Sequence, residues 1–109
     1  MKRYNLVIAE VAEADLDGIA DYISYELKEP ATALKQLARI EDAMATLEEL
    51  PERHGIVHDK YLAARGVRKL SIDNYLIFYI VNKGTNTINI VRVLHGRRDW
   101  ESILSQNDQ

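Results

Sequence analysis

Cysteine is absent from the 109 residues, which removes disulfides, thiolate nucleophiles, iron–sulfur clusters and every cysteine-based zinc site in one step. Proline occurs twice and glycine five times, with no low-complexity tract, so the composition is not that of a disordered or fibrous chain. Long hydrophobic runs are missing too. The longest, Tyr75 to Val81, has seven residues, against the roughly 20 that cross a bilayer, and no membrane partner is expected. At the N-terminus Lys2 and Arg3 precede a short apolar run that soon meets Glu10 and Glu13, which is not the pattern of a secretory signal, so a cytoplasmic location is expected. A glycine-rich phosphate loop, a Ser/His/Asp arrangement and paired carboxylates at a recognisable spacing are likewise missing, and no cofactor is expected. His54 and His58 have the i, i+4 spacing of a helical metal pair. Pro51 and Gly55 argue against a helix there and no third ligand is evident, so no metal site is assigned.

What is present is 47% hydrophobic residues and 28% charged ones, enough for one domain over residues 1–109, with a core at about 4–104 and a polar tail at 105–109. The net charge of −3 hides a polarity. Residues 1–52 carry a net −7, residues 53–98 a net +7 and the last eleven residues −3. Such an asymmetry either steers an anionic partner to the basic half or packs an acidic layer beside a basic one.

Tyr4 to Ile8 reads as a first strand. The period then changes. Leu16, Ile19, Ala20, Ile23 and Leu27 form one apolar stripe of a helix whose start is rich in acids, and Pro30 stops it. Ala33, Leu37, Ile40, Met44 and Leu47 form a second stripe that ends before Pro51. Two helices this close turn back on each other as a hairpin facing a sheet. Residues 51–66 lack a sustained period and read as a long connection with room for a short strand or helical turn. Three strands follow, Val67 to Ile72, Tyr75 to Val81 and Thr87 to His95, separated by good turn chemistry, and they make an antiparallel meander. Tyr75 to Val81 is apolar on both faces, so it is expected in the sheet centre with the hairpin on one side and a further cover on the other. Trp100, Ile103 and Leu104 anchor a closing turn. The expected fold class is therefore α+β, a two-helix hairpin on a twisted, mainly antiparallel four-stranded sheet.

That order of elements resembles the RelE/ParE superfamily of type II toxin–antitoxin toxins. The resemblance is carried by V-R-K-L-S-I-D-N-Y-L-I-F-Y-I-V and I-N-I-V-R-V-L-H-G-R-R-D, which look like the C-terminal half of its ParE-like branch, and by A-E-A-D-L-D-G-I-A-D-Y-I, which looks like its first helix. The resemblance implies a toxin of a plasmid-stabilisation system, neutralised by a cognate antitoxin whose C-terminal segment wraps the hairpin and the sheet. In the ParE-like branch the target is DNA gyrase, poisoned by binding. The alternatives are a RelE-like endoribonuclease that cuts mRNA on the ribosome, and a relative that has lost toxicity and only binds its antitoxin. RNA cleavage needs a base, an acid and cations on the developing phosphorane charge. Matched to the RelE-like motif, two cations fall on Lys69 and Arg98, but the third-strand arginine falls on Leu76 and the C-terminal tyrosine or histidine falls near Leu104. Leucine can neither move a proton nor offset charge, and the acidic pI near 5.6 is poorly suited to a ribosomal phosphate field.

Lys69, Arg92, Arg97, Arg98 and Trp100 are thus the candidates for contact with target or antitoxin, and Lys69, His95 and Arg98 are the residues left for catalysis if the chain cuts RNA. Each has a structural reading beside the functional one. Arg92 alternates with Ile88 and Ile90, which allows an ion pair to an acid of the hairpin. Arg68 and Lys69 lie on opposite strand faces, so one of them faces water. His95 beside Gly96 suits a hydrogen-bonding turn residue. Tyr75 and Tyr79 share a face, where they either stack on bases or pack the sheet. Trp100 is either a core plug or a partner anchor, and Asp99 is available to Arg97 or Arg98.

Overall fold

Alternation of apolar side chains on both faces of the central strands decides the architecture. The computed structural model describes residues 3–106. It contains β1 (Asn5–Ile8), α1 (Glu10–Asp21), α2 (Pro30–Ala45), α3 (Lys60–Ala64), β2 (Arg68–Ile72), β3 (Tyr75–Asn82), β4 (Thr87–His95) and α4 (Trp100–Gln106). The sheet order is β1-β4-β3-β2, with β1 parallel to β4 and the other pairs antiparallel. This is the expected α+β fold.

Pro30 plays two roles at the hairpin tip. It keeps α1 from continuing and takes the first position of α2, where its missing N–H and fixed φ cost nothing. Between the helices the chain widens into a π-helical turn, Tyr22–Glu26, and closes with Lys28 at φ 57° and a Glu29 N–H to Ile23 carbonyl bond of 3.0 Å. The extra residue of the π turn rotates the register, so Leu27, expected on the buried stripe, is 50% exposed, whereas Ile23 is buried. The second stripe holds: Ala33, Ile40, Met44 and Leu47 are buried and Leu37 is half-buried.

Two cores flank the sheet. Ala12, Ile40, Met44 and Leu47 from the helices pack on Leu70, Ile77, Tyr79, Ile88, Ile90 and Val93. On the opposite face Phe78 and Leu94 meet Val57, Leu62, Val67 and Leu104. Ile77, Phe78 and Tyr79 are all fully buried for this reason. The cover on the second face comes from α3, inside the long connection, and from α4. Residues 55–57 of that connection also pair with β2 through the Ile56–Arg68 bridge. Ser105 and Gln106, expected in a polar tail, continue α4, and residues 107–109 of that tail lie outside the described residues. Among the described residues no helix is long and apolar enough to cross a membrane.

One irregularity shapes the site. Phe78 pairs with Arg92 but Tyr79 pairs with Ile90, so β4 carries an extra residue at Val91. The bulge switches the alternation. Ile88, Ile90 and then Val93 pack in the hairpin-side core, and Leu94 packs on the other side.

Candidate functional site

β4 runs on to His95, five residues past Ile90, the last residue paired with β1. The uncovered stretch is taken over by α1. Arg92 Nε and Nη2 donate to Asp15 Oδ2 and Oδ1 at 2.7 and 2.8 Å, and the Val93 N–H donates to Asp15 Oδ2 at 2.9 Å. Both charged side chains are only 11% exposed. Arg92 is thereby held in the hairpin ion pair, and its hydrogen bonds to the Asp15 carboxylate push its pKa upward. Other basic groups are also used internally. Arg68 donates to the carbonyls of Glu52 and His54 at 3.1 and 2.7 Å and faces the Glu52 carboxylate at 3.6 Å, which Lys83 shares at 3.1 Å. Arg39 and Gln36 on α2 clamp Asp73 in the β2–β3 turn at 2.8 to 2.9 Å, which holds the Asp73 carboxyl below its usual range. Acids of one half of the chain thus pair with bases of the other.

Lys69 and Trp100 come together on the α4 side of the sheet, with the ammonium 5.0 Å from the indole centroid and the indole 5.2 Å from the Phe78 ring. Both are half-buried, as is Arg68, so neither member of the Arg68/Lys69 pair simply faces water. Trp100 seats α4 on the sheet. Asp99 starts that helix, accepting the Ser102 N–H at 3.4 Å through its carboxylate. His95 is a turn residue: its Nδ1 accepts the Arg97 N–H at 3.1 Å, its carbonyl accepts the Arg98 N–H at 3.0 Å, and its ring stands edge-on to Tyr75 at 5.4 Å. Tyr79 is fully buried, and this burial pushes its pKa up to about 12; its hydroxyl donates to the Pro51 carbonyl at 2.6 Å. His54 lies half-buried beside it, with its pKa lowered by desolvation and by Arg53. No cluster of three potential metal ligands occurs among the described residues.

A groove of about 610 Å³ runs between α1 and the end of β4. Ala14, Asp15, Gly18, Ile19 and Tyr22 line it from the helix, Tyr75 and Val93 to His95 from the sheet, and Arg97 and Arg98 from the turn after β4. The structure therefore gathers His95, Arg97 and Arg98 at the groove, places Arg92 in the Asp15 pair at its side, and sends Lys69 and Trp100 to the opposite face. The α1 wall escaped sequence reasoning. Its signal is a second spacing of i, i+3, i+7 and i+11 over Val11, Ala14, Gly18 and Tyr22, all exposed.

A family model described as the ParE toxin of type II toxin–antitoxin systems, parDE, matches residues 6–100. The chain belongs to the ParE toxin family. Its fold is shared with solved structures. A chain of the chromosomal ParDE toxin–antitoxin system from P. aeruginosa is 24% identical, with a TM-score of 0.70 over 85% of this chain and 96% of that one. A chain of the RelBE2 toxin–antitoxin complex from Mycobacterium tuberculosis is 24% identical, with a TM-score of 0.63 over 87% and 93%. The isolated E. coli RelE toxin is 16% identical, with a TM-score of 0.52 over 97% and 99%. No curated protein sequence matches the chain. The RelE-like resemblance put its catalytic positions on Leu76 and near Leu104, and both leucines belong to the α4-side core: Leu104 is 4% exposed and Leu76 packs against the same cluster.

Proposed function

We propose that this ParE-family toxin acts in the cytoplasm by binding DNA gyrase and poisoning it, within a plasmid-stabilisation pair whose antitoxin neutralises it. The observation that carries the reading is the apolar filling of the sheet face under α4. Leu76, Phe78, Leu94, Trp100 and Leu104 pack together there, and a buried hydrocarbon surface offers neither a proton-transfer group nor an opening for a phosphodiester. Lys69, the one basic residue at that cluster's edge to which the RelE-like motif assigns a cation, lies over the Trp100 ring instead of an open cleft. Arg98, the other, is exposed and lines the α1–β4 groove.

Expression of the chain without its antitoxin in bacteria, with DNA-damage signalling, translation and mRNA ends followed together, tests the proposal. DNA breaks with intact mRNA are expected. Rapid translation arrest with codon-phased cuts, lost on Lys69→Ala or Arg98→Ala, would establish a ribonuclease instead, and unimpaired growth would leave a chain that only binds its antitoxin. The toxin–antitoxin arrangements of the ParDE and RelBE2 structures support the antitoxin as partner.

A further inference from the structure

We infer that the α1–β4 groove is a nucleotide site, in which His95, Arg97 and Arg98 hold the phosphates of a nucleoside diphosphate and Tyr22 and Tyr75 take its base. The groove lies apart from the cluster of Leu76, Trp100 and Leu104 under α4 that carries the gyrase reading, and neither needs the other.

The donors stand on a turn that is already fixed. The Gly96 N–H donates to the Asn74 carbonyl at 2.9 Å, the Arg97 N–H to His95 Nδ1 at 3.1 Å and the Arg98 N–H to the His95 carbonyl at 3.0 Å. A Cβ on Gly96 would sit 3.5 Å from that same Asn74 oxygen, so the turn after β4 is drawn close against the β2–β3 turn. Because His95 Nδ1 accepts, the neutral imidazole carries its proton on Nε2 and offers it as a donor. Among the described residues His95 Nε2 and the Arg97 and Arg98 guanidiniums have no partner, in contrast to Arg39, Arg68 and Arg92. Free donors gathered on one short turn suit phosphate oxygens.

Neighbouring acids do not cancel them. Asp15, the carboxylate of the lining, gives both oxygens to Arg92 and to the Val93 N–H. Asp73 is clamped by Arg39 and Gln36, and Asp99 accepts the Ser102 N–H. Asp17 and Asp21 are exposed on α1 and outside the lining. Arg97 and Arg98 are left as its uncompensated charges.

The remaining lining selects what the phosphates are attached to. Tyr22, 56% exposed, contributes a ring from α1, and Tyr75 contributes one from β3, edge-on to His95 at 5.4 Å. Aromatic side chains of this kind accept the π-face of any base. A Cβ placed on Gly18 meets nothing within 4 Å, which leaves the helix backbone open to a flat ring beside Ala14 and Ile19. The volume of about 610 Å³ falls within the range of small-ligand sites. An inorganic anion would leave the aromatic part empty, and a nucleoside would leave the guanidiniums unpaired.

Calorimetric titration of the purified chain with ADP, GDP, UDP, adenosine and pyrophosphate tests the site. The diphosphates are expected to bind at about 10–100 μM, and adenosine and pyrophosphate each about tenfold or more weaker than ADP, since each meets only half of the groove. Arg97→Gln with Arg98→Gln should weaken ADP and pyrophosphate alike by about 30-fold. Tyr22→Ala, at an exposed position, should weaken ADP about tenfold and leave pyrophosphate unchanged. Thermal melts establish that the variants are folded. Pyrophosphate binding as tightly as ADP, with no effect of Tyr22→Ala, would show a plain anion contact and overturn the nucleotide site. Unchanged ADP affinity in the folded arginine variant would place the binding elsewhere and overturn it too. No binding of ADP, GDP or UDP at about 5 mM would overturn it outright. The bacterial expression test decides the gyrase reading separately, so the two failures are distinguishable.

Discussion

Asp15→Ala tests how α1 is locked to the sheet. The Asp15 carboxylate accepts from Arg92 Nε and Nη2 and from the Val93 N–H, at 2.7, 2.8 and 2.9 Å, with both charged side chains 11% exposed. Alanine leaves the guanidinium without its anion and the Val93 N–H without an acceptor. Removing one partner of a buried pair costs about 3–5 kcal/mol, and an orphaned buried N–H about 1–3 kcal/mol. Arg92 can swing toward the neighbouring groove and recover some hydration, so the sum falls at the lower end, about 4 kcal/mol. A domain of this size holds only about 5–15 kcal/mol in total, so the melting temperature should fall by roughly 15 °C. Urea unfolding followed through Trp100, the single tryptophan, measures this from the far face of the sheet. The combination Asp15→Leu with Arg92→Met removes both charges and should recover most of the loss, because a buried pair replaced by apolar groups of similar volume is often near neutral. An Asp15→Ala variant within about 0.5 kcal/mol of the parent, or a coupling energy below about 0.5 kcal/mol in the 15/92 cycle, would refute the reasoning.

Tyr79→Phe removes the buried hydroxyl that donates to Pro51 and orphans that carbonyl, so it should cost about 1–2 kcal/mol in the same assay with no change in the circular dichroism of the sheet. Gly18→Ala places a methyl group in open space on a helix interior and should raise stability by up to about 1 kcal/mol; a lower urea midpoint would show that Gly18 is needed for packing. His54 has its pKa lowered by desolvation first and by Arg53 second, so its neutral form belongs to the folded state. The stability it contributes is complete above its ordinary value of about 6.5 and is lost as pH falls through the lower folded value. Urea midpoints at several pH values between neutral and 5 should therefore drop more for the parent than for His54→Gln, and parallel curves would contradict this.

Much of the fold was legible because its signals are local. Pro30 and Pro51 bound two apolar stripes at helical spacing, Asp73-Asn74 and the 82–86 turn separate three β-prone runs, and a strand apolar on both faces has to lie inside a sheet covered on both sides. The candidate basic residues were legible as a group, since charge is written in the sequence. Which of them remain available was not. The β4 bulge reverses the alternation, so Val93 and Leu94 exchange faces relative to a straight strand, and the π turn rotates Leu27 out of the core. Both depend on how one element seats on another. The same holds for the ion pairs: Arg92 finds Asp15 across 77 positions and Arg39 finds Asp73 across 34. Composition fixes the number of charges and local periodicity fixes the elements that carry them. Only the packed sheet and hairpin bring distant acids and bases within hydrogen-bonding reach, and that pairing leaves Arg97 and Arg98 beside an open groove.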